Sequence, residues 1–483
     1  MLGFAVGAIN MLLIAPKILT PAQLGLTRVI TDAAITLATL CTLGTNPIIY
    51  KFFPFYKRHL TPRQDDLPFI SLMVNLAGFV IMCGIGYAAR NIIIQKFSER
   101  SPLFVQYSWL VYPFCFLIQM YMWLEAFGWS LRKGVISNAL REGLPRIWFT
   151  LLLALLAFRV ISMHSFLLLF AFSYALPVLI LFVVLRRTGE FPLNTSISAL
   201  TRRLKEKMLS FGLYLFGAQF LNLLSRTADT FIISSKAPRG LTDTAVFIIA
   251  VYVVTLMEIP QRSINAITVP VLAESWKNKD IKNITHIYNR SVTNLLVIGL
   301  VMFFLMLLNI RNLAIFLGKD YDGIEKVTFL LGIAKLIDLG TGANAQIIGT
   351  SSYWKADFIT NVIYTLIALP LNYILISKYG LLGAAYSTLI SQSFYNIMRY
   401  SFLWYKFNLQ PYTWKHLLAA LLAAAAAFAA WCLPHFPSIF TDSALRTALF
   451  CVLFFPALYF TGLSPDANQA VLKYARRLRG FFK

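Results

Sequence analysis

Acidic residues are scarce in this 483-residue sequence: Asp and Glu number 20 against 43 Lys and Arg, for a net charge of +23. Charged residues of both signs make up only 13% of the chain, and hydrophobic residues reach 58%. A soluble chain of this length needs several domains joined by polar linkers, and almost none are present. The five cysteines, Cys41, Cys83, Cys115, Cys432 and Cys451, include no C-x-x-C pair and sit in apolar segments. That excludes a zinc or disulfide framework. The five histidines are equally scattered and form no metal constellation. The apolar runs are continuous and do not alternate with polar residues, which excludes a β-barrel. Loops on the outer side are no longer than about 15 residues. They offer no place for the acid, base or metal ligands of a membrane polymerase or ligase. A non-enzymatic protein without cofactor or metal is therefore expected.

Present instead are apolar runs of about 20 residues that follow one another almost to the end, with a mean hydropathy of +0.68. They predict an all-α polytopic membrane protein of about fourteen spans. The first run has no basic flank or small-residue cleavage site, so it reads as a helix that stays. A six-span lobe over 1–185 is followed by a basic linker, 186–207, and a second six-span lobe over 208–404. Spans 13 and 14 occupy 405–463, and a basic amphipathic tail covers 464–483. Within the linker, Ile197 to Leu204 reads as an interfacial stretch on the inner leaflet. The segments Thr45-Asn46-Pro47-Ile48-Ile49 and Ile264-Asn265-Ala266-Ile267-Thr268 close spans 2 and 8 alike, an internal repeat that suggests two pseudo-symmetric halves. Even-numbered loops and the tail hold 27 Lys and Arg, odd-numbered loops 13. This bias places both termini in the cytoplasm, and it accounts for the positive charge without nucleic acid.

Four spans carry opposed charges one helical turn apart. Span 7 has Gln219, Asn222, Arg226 and Asp229 on one face, and span 8 has Thr255, Glu258, Arg262 and Asn265 at the same spacing. Span 2 has Arg28 and Asp32; span 10 has Lys335 and Asp338, continued by Gln346. An ionised residue at mid-bilayer costs roughly 2.5–3.5 kcal/mol, so these groups must face protein or water. They are either self-neutralising locks between helices or the lining of a polar cavity. Arg28, Arg226, Arg262 and Lys335 lie at staggered depths, which suits an anionic group crossing the bilayer, and Asn222, Gln219, Asn265 and Gln346 would add polar contacts. Asp32, Asp229, Glu258 and Asp338 each have a basic neighbour and would orient the cations or couple to an ion. Glu125 on span 4 has no cation within one turn. It is either a proton or sodium site or a structural partner of Arg132. The aromatics of span 4, Tyr107 to Trp129, read as belt and packing residues.

Residues 372–391, Asn-Tyr-Ile-Leu-Ile-Ser-Lys-Tyr-Gly-Leu-Leu-Gly-Ala-Ala-Tyr-Ser-Thr-Leu-Ile-Ser, resemble a stretch of bacterial polysaccharide flippases of the multidrug/oligosaccharidyl-lipid/polysaccharide exporter superfamily. Leu24-Gly25-Leu26 after Pro21, Leu43-Gly44-Thr45 before Phe52-Phe53-Pro54, and Ser225-Arg226-Thr227-Ala228-Asp229 are also similar to that family. The resemblance covers nearly the whole chain and implies twelve spans in two lobes plus two C-terminal helices. It implies translocation of undecaprenyl-diphosphate-linked oligosaccharide, an O-antigen, capsule or exopolysaccharide repeat unit, across the bacterial inner membrane. The family places a short basic leader before span 1, and this sequence departs from that pattern at Met1. The partners implied are the lipid-linked oligosaccharide, an H+ or Na+ counter-ion, anionic lipids at the basic loops and tail, and polysaccharide-assembly proteins. A cation-coupled drug antiporter of the same superfamily is the alternative, and a polymerase or ligase the third reading.

Overall fold

The computed structural model describes residues 2–61, 63–189, 191 and 194–462, with the side chains of 2–5, 218, 222, 226 and 354 left out. The expected tail, 464–483, lies outside the described residues. All regular structure among them is helical. Nine of these helices are long and apolar enough to cross a membrane, and the pair Leu241–Thr255 and Glu258–Lys277, bent by 46°, makes ten. The chain is a multi-pass membrane protein. Other predicted spans are helical but shorter or more polar: Gly134–Ala157 carries Arg141, Glu142 and Arg146, and Ile324–Gly340 is separated from Asn344–Thr350 by a break.

By packing, the chain divides into two compact units, 1–245 and 246–483. In the first, Thr20 opens the Pro21–Cys41 helix with a reciprocal cap. Its Oγ1 accepts from the Gln23 amide at 3.3 Å, and the Gln23 Oε1 accepts from the Thr20 amide at 3.0 Å. Pro21 at the first helical position supplies a preset φ. The helix stops at Cys41. Leu43 and Gly44 take positive φ of 44° and 84° before a second helix, Thr45–His59, begins. Thr45-Asn46-Pro47 therefore opens a new helix and does not close span 2, a correction to the sequence reading. The Gly44 position requires glycine, since a Cβ there would lie 2.6 Å from the Gly212 carbonyl of the helix Ala199–Lys236.

That 38-residue helix also corrects the linker: the stretch at 199–204 is its first turns, not a separate interfacial segment. Its start is tied down by Asp66, which is fully buried. The Asp66 carboxylate accepts from the Ser198 amide at 2.7 Å and from the hydroxyls of Ser198 and Thr201 at 2.9 Å each. Thr201 spends its one proton on Asp66, so the Tyr56 hydroxyl donates to Thr201, at 2.7 Å. Next to this clamp, Phe127 packs edge to face with Phe53 and with Phe191, centroids 5.0 Å apart in both pairs. The aromatics of the fourth span serve this core: Tyr121 and Trp123 are buried, and Trp109 and Trp129 are about half exposed.

In the second unit, the Trp414–Trp431 helix buries Ala419, Ala423 and Ala430 against Leu300, Phe450 and Phe454. The small side chains let backbones approach closely where no hydrophobic force drives helices together. The motif at 372–391 is explained by packing: a Cβ on Gly383 would sit 2.0 Å from the Leu375 carbonyl, and Ala384 and Ala385 are wholly buried. Arg446 leaves the loop tally. It is buried in the helix Ile439–Thr461, pairs with Asp442 at 2.8 Å, and donates to carbonyls of Ala430, Trp431 and Leu433. Arg399 likewise is buried, paired with Asp357 and stacked 3.9 Å over the Tyr395 ring.

The Asp66 clamp should be needed for stability. Asp66→Ala leaves the first helical turn and two hydroxyls short of an acceptor, and a loss of about 2–3 kcal/mol is expected, read as a lowered Tm in detergent. Its neighbour Asp65 behaves oppositely. Burial pushes the Asp65 carboxyl up to about 6, against a lowering hydrogen bond from the Leu67 amide, with the Asp66 charge adding to the rise. A carboxyl raised on folding contributes stability at low pH that is lost as pH rises through about 6. Asp65→Asn should therefore raise the Tm at about pH 7.5, by about 1–2 kcal/mol equivalent, and the gain should fade by about pH 4.5. A gain that persists unchanged across that range contradicts the assignment.

Candidate functional site

The sequence-predicted charges gather in two places, one in each unit. In the first, the Pro21–Cys41 helix directs Arg28 and Asp32 to one face, four residues apart. The Arg28 Nε lies 2.8 Å from Asp32 Oδ2; Asp32 is buried, and Arg28 is about one-third exposed. Thr230 of the helix Ala199–Lys236 donates to the same carboxylate oxygen at 2.7 Å. Thr36 and Thr227 add a hydroxyl contact at 3.4 Å. Asp229 precedes Thr230 and is half-buried, and Gln219 on the same helix is exposed. The side chains of Asn222 and Arg226 lie outside the described residues, so their part in the cluster rests on helical spacing alone.

The second place is more elaborate. Its helix Glu258–Lys277 begins where the preceding helix bends, and Glu258 is its first residue. Glu258 holds two cations: Arg262 Nη2 at 2.9 Å, one turn on, and Lys335 Nζ at 3.0 Å, from the helix Ile324–Gly340. Lys335 also reaches Asp338 at 2.8 Å, so one ammonium bridges two carboxylates. Asp338 is then ringed by amides. Gln261 donates at 3.4 Å, Gln392 at 3.2 Å and Asn396 at 3.4 Å, the last two from the helix Leu381–Phe407. Behind them, Thr341 and Asn344 donate to the Asn396 oxygen at 2.9 and 3.3 Å. The helix that carries Lys335 and Asp338 breaks at once after them, over 341–343 with Gly342 at φ +65°. The backbone at the break is satisfied within the protein: the Thr341 and Gly342 amides donate to the Ile337 and Leu339 carbonyls at 3.2 and 3.0 Å, the Ala343 amide donates to the Ser291 hydroxyl at 3.1 Å, and the Gly340 carbonyl accepts from the Tyr412 hydroxyl at 3.1 Å.

Exposure separates the roles within this cluster. Lys335 and Asp338 side chains are 14% and 15% exposed, Arg262 is 65% exposed. Lys335 is thus held within the protein, and Arg262 projects a guanidinium that keeps donors available beyond its single bond to Glu258. Asn265, one turn further on, is half-buried, and its Oδ1 has no partner among the described residues. Gln346 sits half-buried on the short helix past the break, and no hydrogen bond joins it to the cluster among the described residues.

Glu125 has a cation after all. Arg141 from the next helix, not Arg132, places Nη1 3.1 Å from each carboxylate oxygen, and Glu125 is 8% exposed. Sequence reading missed Arg141 because the pair spans 16 residues and two helices, where periodicity carries no signal. Gln261, Gln392, Asn396 and Thr230 were missed for the same reason: each meets its partner only across a helix interface.

The fold can now be compared. The structure matches that of the Lipid II flippase MurJ in an inward closed conformation, with a TM-score of 0.67 at 14% identity over 91% of this chain and 97% of that one. An inward-facing multidrug resistance MATE family transporter of the MOP superfamily matches with a TM-score of 0.67 at 16% identity, over 84% and 94%. The fold is that of the MOP superfamily transporters. A MOP superfamily transporter from Pyrococcus furiosus, described by the reverse polarity of its binding pocket, follows at 0.54 and 15% identity, over 84% and 93%. No family model and no curated protein sequence matches the chain.

Within this MOP fold the bridging lysine is the testable element. Lys335→Met should strand Asp338, while Glu258 keeps Arg262, and lower stability by about 3–5 kcal/mol. Adding Asp338→Asn should restore a good part of it, which a double-mutant cycle of thermal unfolding in detergent measures. Additive effects of the two changes would show that the pair is not coupled.

Proposed function

We propose that this chain is a flippase that moves an undecaprenyl-diphosphate-linked oligosaccharide across the bacterial inner membrane by alternating access. In this reading twelve spans form two lobes, 1–185 and 208–404, joined by the basic linker, spans 13 and 14 follow over 405–463, and both termini are cytoplasmic. The observation that carries it is the Arg262–Glu258–Lys335 arrangement. A projecting guanidinium, oriented by a carboxylate that also holds a second cation, is suited to a diphosphate, which Arg binds in a bidentate manner. Arg28, set against Asp32 in the other unit and partly exposed, repeats the device, and Arg226 lies two turns away from Gln219 on its own helix. No bond is made or broken, so no catalytic group is needed. The carboxylates Asp32, Asp229, Glu258 and Asp338 supply places for an H+ or Na+ counter-ion, and the basic loops face anionic lipid.

The second reading, a cation-coupled drug antiporter, is favoured by one observation: three amides converge on Asp338, a geometry that also suits a cation held at the carboxylate. Depletion in cells separates the two. A flippase leaves completed lipid-linked glycan on the cytoplasmic leaflet, measured by mass spectrometry with leaflet-selective labelling; an antiporter changes drug susceptibility and leaves the glycan pool alone. For the flippase, Arg262→Ala and Arg28→Ala should each cut flipping about 10–100-fold with normal insertion, the value of a charge-assisted hydrogen bond. Native activity in both variants removes this reading.

A further inference from the structure

The first unit holds a cavity of about 610 Å³ that the charged clusters do not use. Its floor is Ala33 and Leu37 of the Pro21–Cys41 helix, and a side wall includes Ile94 of the short helix Arg90–Phe97. Arg90, Trp109 and Tyr112 are also among the residues that line it, and Trp109 is 48% exposed, so the cavity opens at the protein surface. The volume falls within the range that holds a drug-sized ligand or an acyl chain. Its lining is mainly apolar.

Three observations say what fills it. The cavity lies where the apolar helix Leu67–Ala88 ends and the chain turns charged at Arg90, which is the level of the membrane–water boundary. Tryptophan and tyrosine stand at that level, as in an interfacial belt. And Arg90 makes no ion pair among the described residues, although it borders an apolar chamber. An apolar body below the interface with a free guanidinium at its rim is complementary to an amphiphile with an anionic head.

We propose that this cavity is a binding site for an anionic glycerophospholipid. One acyl chain lies along Ala33, Leu37 and Ile94, and the phosphodiester meets Arg90, with Trp109 and Tyr112 at the glycerol level. Because Ala33 follows Asp32 in the chain, the bound lipid braces the helix that presents Arg28 and Asp32. The proposal rests on the cavity alone and stands whether or not the chain is a flippase.

The test is photo-crosslinking of the full-length protein in vesicles of phosphatidylethanolamine and phosphatidylglycerol. Gln106, at the cavity wall, is replaced by p-benzoylphenylalanine, and the adducts are weighed by mass spectrometry. The same replacement at Val80, which is 69% exposed on the Leu67–Ala88 helix, reports bulk lipid. Enrichment of phosphatidylglycerol at 106 over 80 is expected, with a loss of about fivefold in Arg90→Ala, the value of one cation near an anionic lipid. Loss of the adduct on filling the cavity with Ala33→Phe and Ile94→Trp is also expected. Equal lipid ratios at both positions, an adduct with the mass of a polyprenyl diphosphate, or no adduct at 106 would each overturn the proposal.

Discussion

Charge in a hydrocarbon environment is the constraint on which the rest of this structure depends. A buried cation that lost its partners would destabilise the fold by several kcal/mol, and among the described residues the buried cations Lys335, Arg399 and Arg446 are each met by opposite charge. Lys335 is the fullest case. Its ammonium lies 3.0 Å from Glu258 and 2.8 Å from Asp338, and the amides of Gln261, Gln392 and Asn396 take up the remaining lone pairs of Asp338. The arrangement draws together three helices that are distant in sequence. Arg446 shows the purely structural version: wholly enclosed, it binds one aspartate and a row of carbonyls and has no donor left for anything else.

That contrast separates locks from sites. Arg446 is buried with its carboxylate and Arg399 is buried against a half-buried Asp357, whereas Arg28 and Arg262 keep part of the guanidinium exposed. In the second unit the cluster lies beside irregular backbone, Arg262 one turn past a 46° bend and Asp338 just before the break at 341–343. Irregular backbone at membrane depth is tolerated only where protein or water satisfies it, so these breaks coincide with the polar clusters for a physical reason. The cavity lined by Ala33, Leu37 and Arg90 belongs to the first unit, one residue along the chain from Asp32.

The all-helical membrane class was legible from continuous apolar runs, because a backbone in lipid has no other way to satisfy itself along one segment. Arg28–Asp32, Glu258–Arg262 and Lys335–Asp338 were legible too, since three- and four-residue spacing on a helix is a local property. Glu125 was half legible: its burial followed from the surrounding apolar residues, but its partner Arg141 did not. The cap at Asp66 and the amide ring around Asp338 left no pattern at all, because their members are separated by 132 residues in one case and by 54 to 77 in the other.

What the sequence by itself determined is therefore everything set by local periodicity and composition: helices, their burial in a bilayer, the charge bias of the loops, and which charges share a turn. Only the tertiary structure decided which helix supplies the second partner of each charge, which arginines are enclosed and which project, and where helices break. Those outcomes depend on packing between segments far apart in the chain, and the energy of a buried ion pair is settled by the few ångströms at which those segments meet.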